Sequence, residues 1–469
     1  MARVRQAVPA APAAAFARLR AELELPEGFP AEVEQAARDA VARGPADADR
    51  VDATDLPLLT IDPPGSRDLD QALHVERRSG DGLRAWYAIA DLAAFVRPGD
   101  PVDREARTRA RTVYLPDGTV PLHPRVLSED AASLLPDADR PALLWRVDLD
   151  ADGAVVDHDL RRATVRSRRR LDYDQAQHAA AVHGDACALL LELGRRRTER
   201  EWARGGISLG LSDVRVELVD GRPELRLREQ LPVEQANAQL SLLVGIVAAS
   251  TMVDAGVGVL RTLPPPRAGD VAELRAEARA LGAAWPEQVD VATFLRTLHA
   301  SRPRDAALLV AATRTLRGAG YQALLPGEEP RVHGAVAAHY AHVTAPLRRL
   351  VDRFAHEVLL ALHAGRDVPQ PVLEALPDLP RAMDVGGGRA ARAERATTDL
   401  AEAVLLAERV GERLRAVPLR RRGEDATQVR VVDPPVVATV PGTPPLGVEL
   451  AVVVEAVDVE ARTVTLRVA

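Results

Sequence analysis

Lysine is absent from all 469 residues, and every one of the 61 basic side chains is arginine. With the heavy use of Ala, Val, Pro, Gly and Asp, this is what a GC-rich coding bias produces. Any arginine cluster therefore has a compositional explanation beside a functional one, although the guanidinium remains the better bidentate partner for phosphate. Cysteine is nearly absent. The single Cys187 excludes an internal disulfide and a cysteine-rich zinc site. Aromatics make up only 3%, so any one of them near polar residues carries weight. We find no apolar run long enough to span a bilayer and no secretion-signal pattern at the N-terminus, so the expectation is a cytoplasmic chain with no membrane partner. An excess of positive charge is also lacking. A net charge of −7 argues against coating nucleic acid through overall charge, while leaving room for a local basic channel.

Apolar residues are plentiful at 47%, and the length suggests about two to four domains. Residues 1–55 read as a Pro/Ala-rich start with short helices near 13–23 and 31–43. The second carries Val33, Ala36, Ala37, Ala40 and Val41 at helical spacing. Residues 56–170 look strand-rich, with Trp86–Ala90 as a buried strand ending at Asp91. Leu143–Leu149 and Ala154–Val156 form a hairpin across Asp150–Gly153. A helical stretch over 172–205 leads to a second hairpin, Val214–Leu218 and Glu224–Leu227, turning at Asp220-Gly221. Helices dominate from 232 to about 416. The tail, 425–469, reads as a small OB-like barrel. The domain division is 1–55 N-terminal helical segment, 56–416 catalytic domain and 417–469 C-terminal β-module.

The densest chemistry lies in Thr60-Ile61-Asp62-Pro63-Pro64-Gly65-Ser66-Arg67-Asp68-Leu69-Asp70. A strand, a tight loop and a second strand would hold Asp62, Asp68 and Asp70 together. Such carboxylates repel unless a cation sits among them. Hard oxygen ligands on a short loop suit Mg²⁺ or Mn²⁺. The alternative is that these residues only make a turn.

A second constellation is Tyr340-Ala-His-Val-Thr344-Ala-Pro346-Leu-Arg348-Arg349, running on to Asp352 and His356. Pro346 suits the first turn of a helix and Thr344 its N-cap. Free N–H groups and guanidinium forks there would suit a phosphate; the alternative is a capped amphipathic helix with solvated arginines. Together, the two segments carry what phosphodiester hydrolysis requires: sites for a hard cation and a guanidinium for phosphate.

From about residue 50 to 400 the chain resembles the ribonuclease II (RNB-domain) exoribonucleases. The likeness rests on the acidic loop, Tyr87-Ala88-Ile89-Ala90-Asp91, Val113-Tyr114-Leu115-Pro116, Val120-Pro121-Leu122-His123-Pro124, and the Tyr340–His356 segment, in that order. The resemblance implies a mixed α+β fold, with a β-sheet core surrounded by helices and an OB-like barrel after it. It implies a 3′→5′ exoribonuclease that threads single-stranded RNA into a channel and releases 5′-nucleoside monophosphates with Mg²⁺. It further implies that Asp62, Asp68 and Asp70 bind the metal, Asp70 being the most sensitive, and that Arg348 contacts the scissile phosphate. Tyr114 would stack on terminal bases, Tyr173 would line the channel, and Glu394 would lie near the last base. Thr344 counts with the RNA-contacting residues.

The chain departs from the family pattern at Gln71, where a fourth acid is usual. It also departs at Leu209, where an aromatic completes a clamp, and at Ala345 and Leu350. Asn237 and Gln239 are candidates to supply replacement contacts to ribose or base. The cold-shock barrels that normally precede the catalytic domain are missing from this sequence, which leads us to expect weaker binding of long RNA. We expect a monomer. The rival reading is an RNA-binding protein that keeps the fold with weakened or lost catalysis; a DNA nuclease is a third.

Overall fold

The structure, a computed structural model, describes residues 12–46, 49–210, 213–219, 222–228 and 230–469. Two helices, α1 (Pro12–Glu22) and α2 (Ala31–Arg43), lead into a closed five-stranded barrel. Its strands are β1 (Val51–Ile61), β2 (Gln71–Arg77) and β3 (Leu83–Ala90), followed after α3 (Pro101–Arg109) and the small ribbon β4 (Val113–Leu115) and β5 (Gly118–Val120) by β6 (Asp139–Leu149) and β7 (Val155–Leu171). Neighbours pair antiparallel in the order β1-β2-β3-β6-β7, and the barrel closes where β1 runs parallel to β7, Val51 opposite Ala163 and Ile61 opposite Leu171.

Alternation along these strands feeds two cores. Leu73, Val75, Ala85, Tyr87, Ile89, Leu143, Trp145 and Val147 join the largest cluster, while Ala72, Ala88, Ala90, Ala142, Leu144 and Val165 join a second beneath α2. Burial on both sides explains why Ala85–Ala90 reads as nearly continuous apolar sequence.

Helices α4 (Tyr173–Ala179) and α5 (Ala186–Ala203) follow, then the hairpin β8 (Asp213–Val219) and β9 (Arg222–Arg228). The turn expected at Asp220-Gly221 lies outside the described residues. Next comes α6 (Pro232–Ala255). By length and composition α6 could cross a membrane, which corrects the expectation that no such run exists. Val233, Leu240, Leu243, Val244 and Val247 place it in the main core, and this accounts for its composition.

The pair β10 (Gly258–Thr262) and β11 (Gly320–Leu324) brackets α7 (Ala268–Ala280), α8 (Val291–Arg296) and α9 (Pro303–Ala312). After an irregular segment come α10 (Leu350–His363), α11 (Gln370–Ala375) and the long α12 (Leu379–Ala407). The chain ends in a second closed barrel: β12 (Arg413–Arg421), β13 (Ala426–Val431), β14 (Val437–Pro441), β15 (Leu450–Asp458) and β16 (Thr463–Val468). Its order, β12-β13-β14-β16-β15, is that of an OB barrel, as the tail's pattern predicts.

Candidate active site

The acidic loop connects β1 to β2 at one end of the first barrel. Asp62 is placed by its N–H, which donates to the Leu171 carbonyl at the end of β7 (3.1 Å). Asp70 lies just before β2 and is buried, with 2% of its surface exposed. Its Oδ1 accepts from the Leu347 N–H at 2.8 Å and its Oδ2 from Arg348 Nε at 3.0 Å. Residues 278 positions apart in the chain therefore meet in one ion pair. Asp68, between Asp62 and Asp70 in sequence, accepts from the Tyr114 hydroxyl at 2.9 Å. Tyr114 is 52% exposed.

The segment carrying Arg348 is not the start of a helix. The Pro346 ring disfavours a helical Ala345, and the N–H groups of Ala345 and Leu347 point to two carboxylates, Asp352 (2.6 Å) and Asp70 (2.8 Å). Helix α10 begins only at Leu350. Thr344 is accordingly no N-cap. Its hydroxyl shares a hydrogen bond with Ser241 on α6 (2.9 Å), and its carbonyl accepts from Gln71 Nε2 (2.5 Å). The same amide accepts at Oε1 from the Tyr87 hydroxyl at 2.6 Å. Gln71 thus faces the backbone of the arginine loop rather than the acids. His356 holds the Val343 carbonyl at 2.6 Å, and Arg349 grips Asp352 with two hydrogen bonds, 2.8 and 3.0 Å. In Arg348 only Nε is engaged among the described residues, which leaves its terminal nitrogens, on a side chain 45% exposed, open to an anion.

Burial pushes the Asp70 carboxyl up to about 7 against the pull of Arg348 and the Leu347 N–H. Burial also pushes Asp62 up to about 6, against Arg348 and with Asp68 adding to the rise. Among the described residues no three His, Cys, Asp or Glu side chains converge as a ready metal cage. Mg²⁺, however, takes one or two carboxylates and fills its shell with water and phosphate oxygens. The buried Asp70 and the half-buried Asp62, each coupled to Asp68, fit a hard divalent ion in that open manner.

Tyr173 opens α4, two residues beyond Leu171, and packs on the main core. Glu394 is exposed on α12, whose Ala393 and Ala396 pack against Val113 and Leu115 on either side of Tyr114. Leu209 packs on the core of α7–α9. Gln239, a candidate for substrate contacts, is bound to Glu201 on α5, while Asn237 stays half-buried. Sequence reasoning gave Asp91 no role beyond its motif. The fold buries it as the partner of Arg50 (2.7 Å) and Arg162 (3.0 Å), and only its position at the end of an apolar strand hinted at this.

The profile of the RNB domain matches residues 50–365, and that of the RNase II-type exonuclease C-terminal S1 domain matches residues 412–469. Ribonuclease R of Escherichia coli (strain K12) is 30% identical over 364 residues, covering 73% of this chain and 44% of its own length. An uncharacterised ribonuclease of Synechocystis is 27% identical over 356 residues, covering 73% and 48%. The chain thus spans about half the length of these curated relatives. Mycoplasma genitalium RNase R shares the fold with a TM-score of 0.87 at 20% identity, over 98% of this chain and 78% of that one. The yeast pseudonuclease Ssd1 shares it at 0.69 and 17% identity, over 88% and 54%.

Proposed function

The chain belongs to the RNB family, and on that premise we propose that it is a metal-dependent 3′→5′ exoribonuclease that hydrolyses single-stranded RNA to 5′-nucleoside monophosphates. The observation that carries this reading is the meeting of Asp70 with Arg348, which puts a guanidinium with free terminal nitrogens beside the acidic loop.

A hard divalent ion, Mg²⁺ or Mn²⁺, would be held by Asp62, Asp68 and Asp70 and would supply a more acidic water and neutralise phosphate charge. The protein's own groups do the rest. Arg348, oriented by Asp70, offers its terminal nitrogens to the non-bridging phosphate oxygens, where charge builds as the ester is cleaved. Tyr114, half exposed, stacks on the terminal base while its hydroxyl fixes Asp68; such stacking contributes about 1–3 kcal/mol per base without reading sequence. Glu394 and Tyr173 extend the RNA path along α12 and α4, and Thr344 shapes the loop beneath it. Selection of RNA over DNA comes from contacts to the 2′-OH.

The test is a time course on end-labelled RNA with Mg²⁺ or Mn²⁺. Wild type should release monophosphates. Asp70→Asn should slow release at least 100-fold while leaving RNA binding within a few-fold of wild type. Gln71, a neutral amide turned away from the acids, favours a second reading, an RNB-fold RNA-binding protein without turnover. Tight RNA binding with no product from wild type would select it, and a DNA oligomer in parallel disposes of the DNA-nuclease reading.

A further inference from the structure

Behind the loop that carries Arg348 lies a cavity of about 350 Å³ that the reaction above does not use. Arg111 and Arg349 form an antiparallel bridge. Their side chains therefore leave on the same face, while Arg348, one position earlier, leaves on the opposite face toward Asp70. Arg261 from β10 completes a trio of guanidiniums on the cavity wall, with Tyr321 and His342 beside them.

The charges there are poorly balanced. Arg349 is paired with Asp352. Arg261 donates to the Gly320 carbonyl (3.2 Å), lies 4.7 Å over the Tyr321 ring and meets no carboxylate among the described residues. The Arg111 side chain makes no hydrogen bond or ion pair among the described residues, and its Nε is buried without a partner. Asp384, the one carboxylate in the lining, is exposed. His342 shares a hydrogen bond with the Tyr321 hydroxyl (2.8 Å), and burial with the nearby guanidiniums holds it neutral. Neighbouring guanidiniums repel one another, and a buried N–H without an acceptor is costly. An oxyanion among them removes both penalties.

The facing wall is α12 at Met383, Asp384, Gly387 and Gly388, the last two in a run of three glycines, and glycines weaken a helix interior. Gly386 has a packing reason, because a Cβ there would lie 2.6 Å from the Ala110 Cβ. Gly387 has no such reason; its Cβ would meet nothing closer than Arg111 Nη1 at 4.0 Å, on the cavity side. The volume lies at the lower end of small-ligand sites, which suits a ligand no larger than a mononucleotide.

We propose that this cavity is a subsite for a phosphomonoester anion, bound by Arg111 and Arg261 against the fixed Arg349–Asp352 pair. Naming the released mononucleotide as its natural occupant rests on the exoribonuclease reading; the anion site itself does not.

Calorimetric titration of the full chain tests this in three arms: inorganic phosphate, 5′-AMP, and a short RNA with no terminal phosphate. Phosphate and AMP should bind wild type, and Arg111→Ala and Gly387→Leu should each weaken both at least tenfold without altering the RNA arm. Gly387→Leu should melt no lower than wild type, so its loss of binding cannot be ascribed to unfolding. Tighter binding of AMP than of phosphate supports a mononucleotide site, and equal binding supports a site for the phosphate group alone. No phosphate binding to wild type, or equal binding to Arg111→Ala, overturns the proposal. So does weakening confined to the RNA arm, which would make the cavity part of the polymer path. Phosphate binding that persists in a chain unable to hydrolyse RNA would sink the nuclease reading and leave this one standing.

Discussion

At position 71 a neutral amide follows directly on Asp70, and both of its ends are used, one by the Tyr87 hydroxyl and one by the Thr344 carbonyl. It therefore acts as a spacer between the first barrel and the arginine loop. Replacing Gln71 with Leu leaves both partners without their hydrogen bonds. At roughly 1–3 kcal/mol for a buried polar group deprived of its partner, we expect a lower urea midpoint. A fall in kcat larger than any change in KM should accompany it, because the loop that aims Arg348 loosens; unchanged kinetics alongside the lower midpoint would limit Gln71 to a structural role. The acids themselves were legible as a constellation. What the sequence could not show is that Asp70 spends both oxygens on residues 347 and 348.

Helix α6 sets the height of the same loop. A Cβ on Gly245 would lie 2.2 Å from Tyr340 Cε2 and 2.7 Å from the Ala341 carbonyl, while the Gly245 carbonyl accepts the Ala341 N–H. Gly245→Ala must therefore push the segment off the helix, at a cost of about 1–3 kcal/mol for overpacking. Thermal melts should show the loss, and activity should fall further than the unfolded fraction explains. The sequence signals at this scale were uneven. The amphipathic α2 and the hairpin β6–β7 follow from periodicity and turn residues. The first half of β1 does not, because residues 51–55 are largely exposed and polar and become strand only by pairing with β7. Pro346 and Thr344 imitate a helix N-terminus, but the loop's N–H groups are claimed by Asp70 from the distant acidic loop and by Asp352 from within α10, so the helix starts later, at Leu350.

Across the whole molecule, α12 packs on β4 of the small ribbon and on β15 and β16 of the second barrel. Its Glu402 accepts from the Val437 N–H (2.8 Å), and burial raises its carboxyl to about 7, with Asp399 adding to the rise. A folded-state value above the unfolded one means that this group's contribution is full below about pH 4.5 and is lost as pH rises through 7. The melting temperature should fall as pH rises from about 4.5 through 7, by an amount on the order of 1–3 kcal/mol in stability, and Glu402→Gln should flatten that fall. Net charge of −7 means that any grip on RNA is local. Arg170, exposed at the end of β7 and electrostatically coupled to Asp62, is placed to supply part of it. Arg170→Ala should weaken RNA binding and reduce the salt slope by about 0.7 per lost phosphate contact, measured by filter binding between low and moderate salt.

The sequence by itself determined what is local or ordered along the chain: the acidic loop, the alternating strands, the OB-like tail and the family they mark. Those signals are carried by residues a few positions apart. Only the tertiary structure decided which distant groups meet: Asp70 with Arg348, Gln71 with Thr344, and Arg111 with Arg261 and Arg349 around one cavity. Such meetings depend on how a closed barrel, α6 and α12 bring segments hundreds of residues apart into contact, and no pattern of neighbours along the chain encodes that geometry.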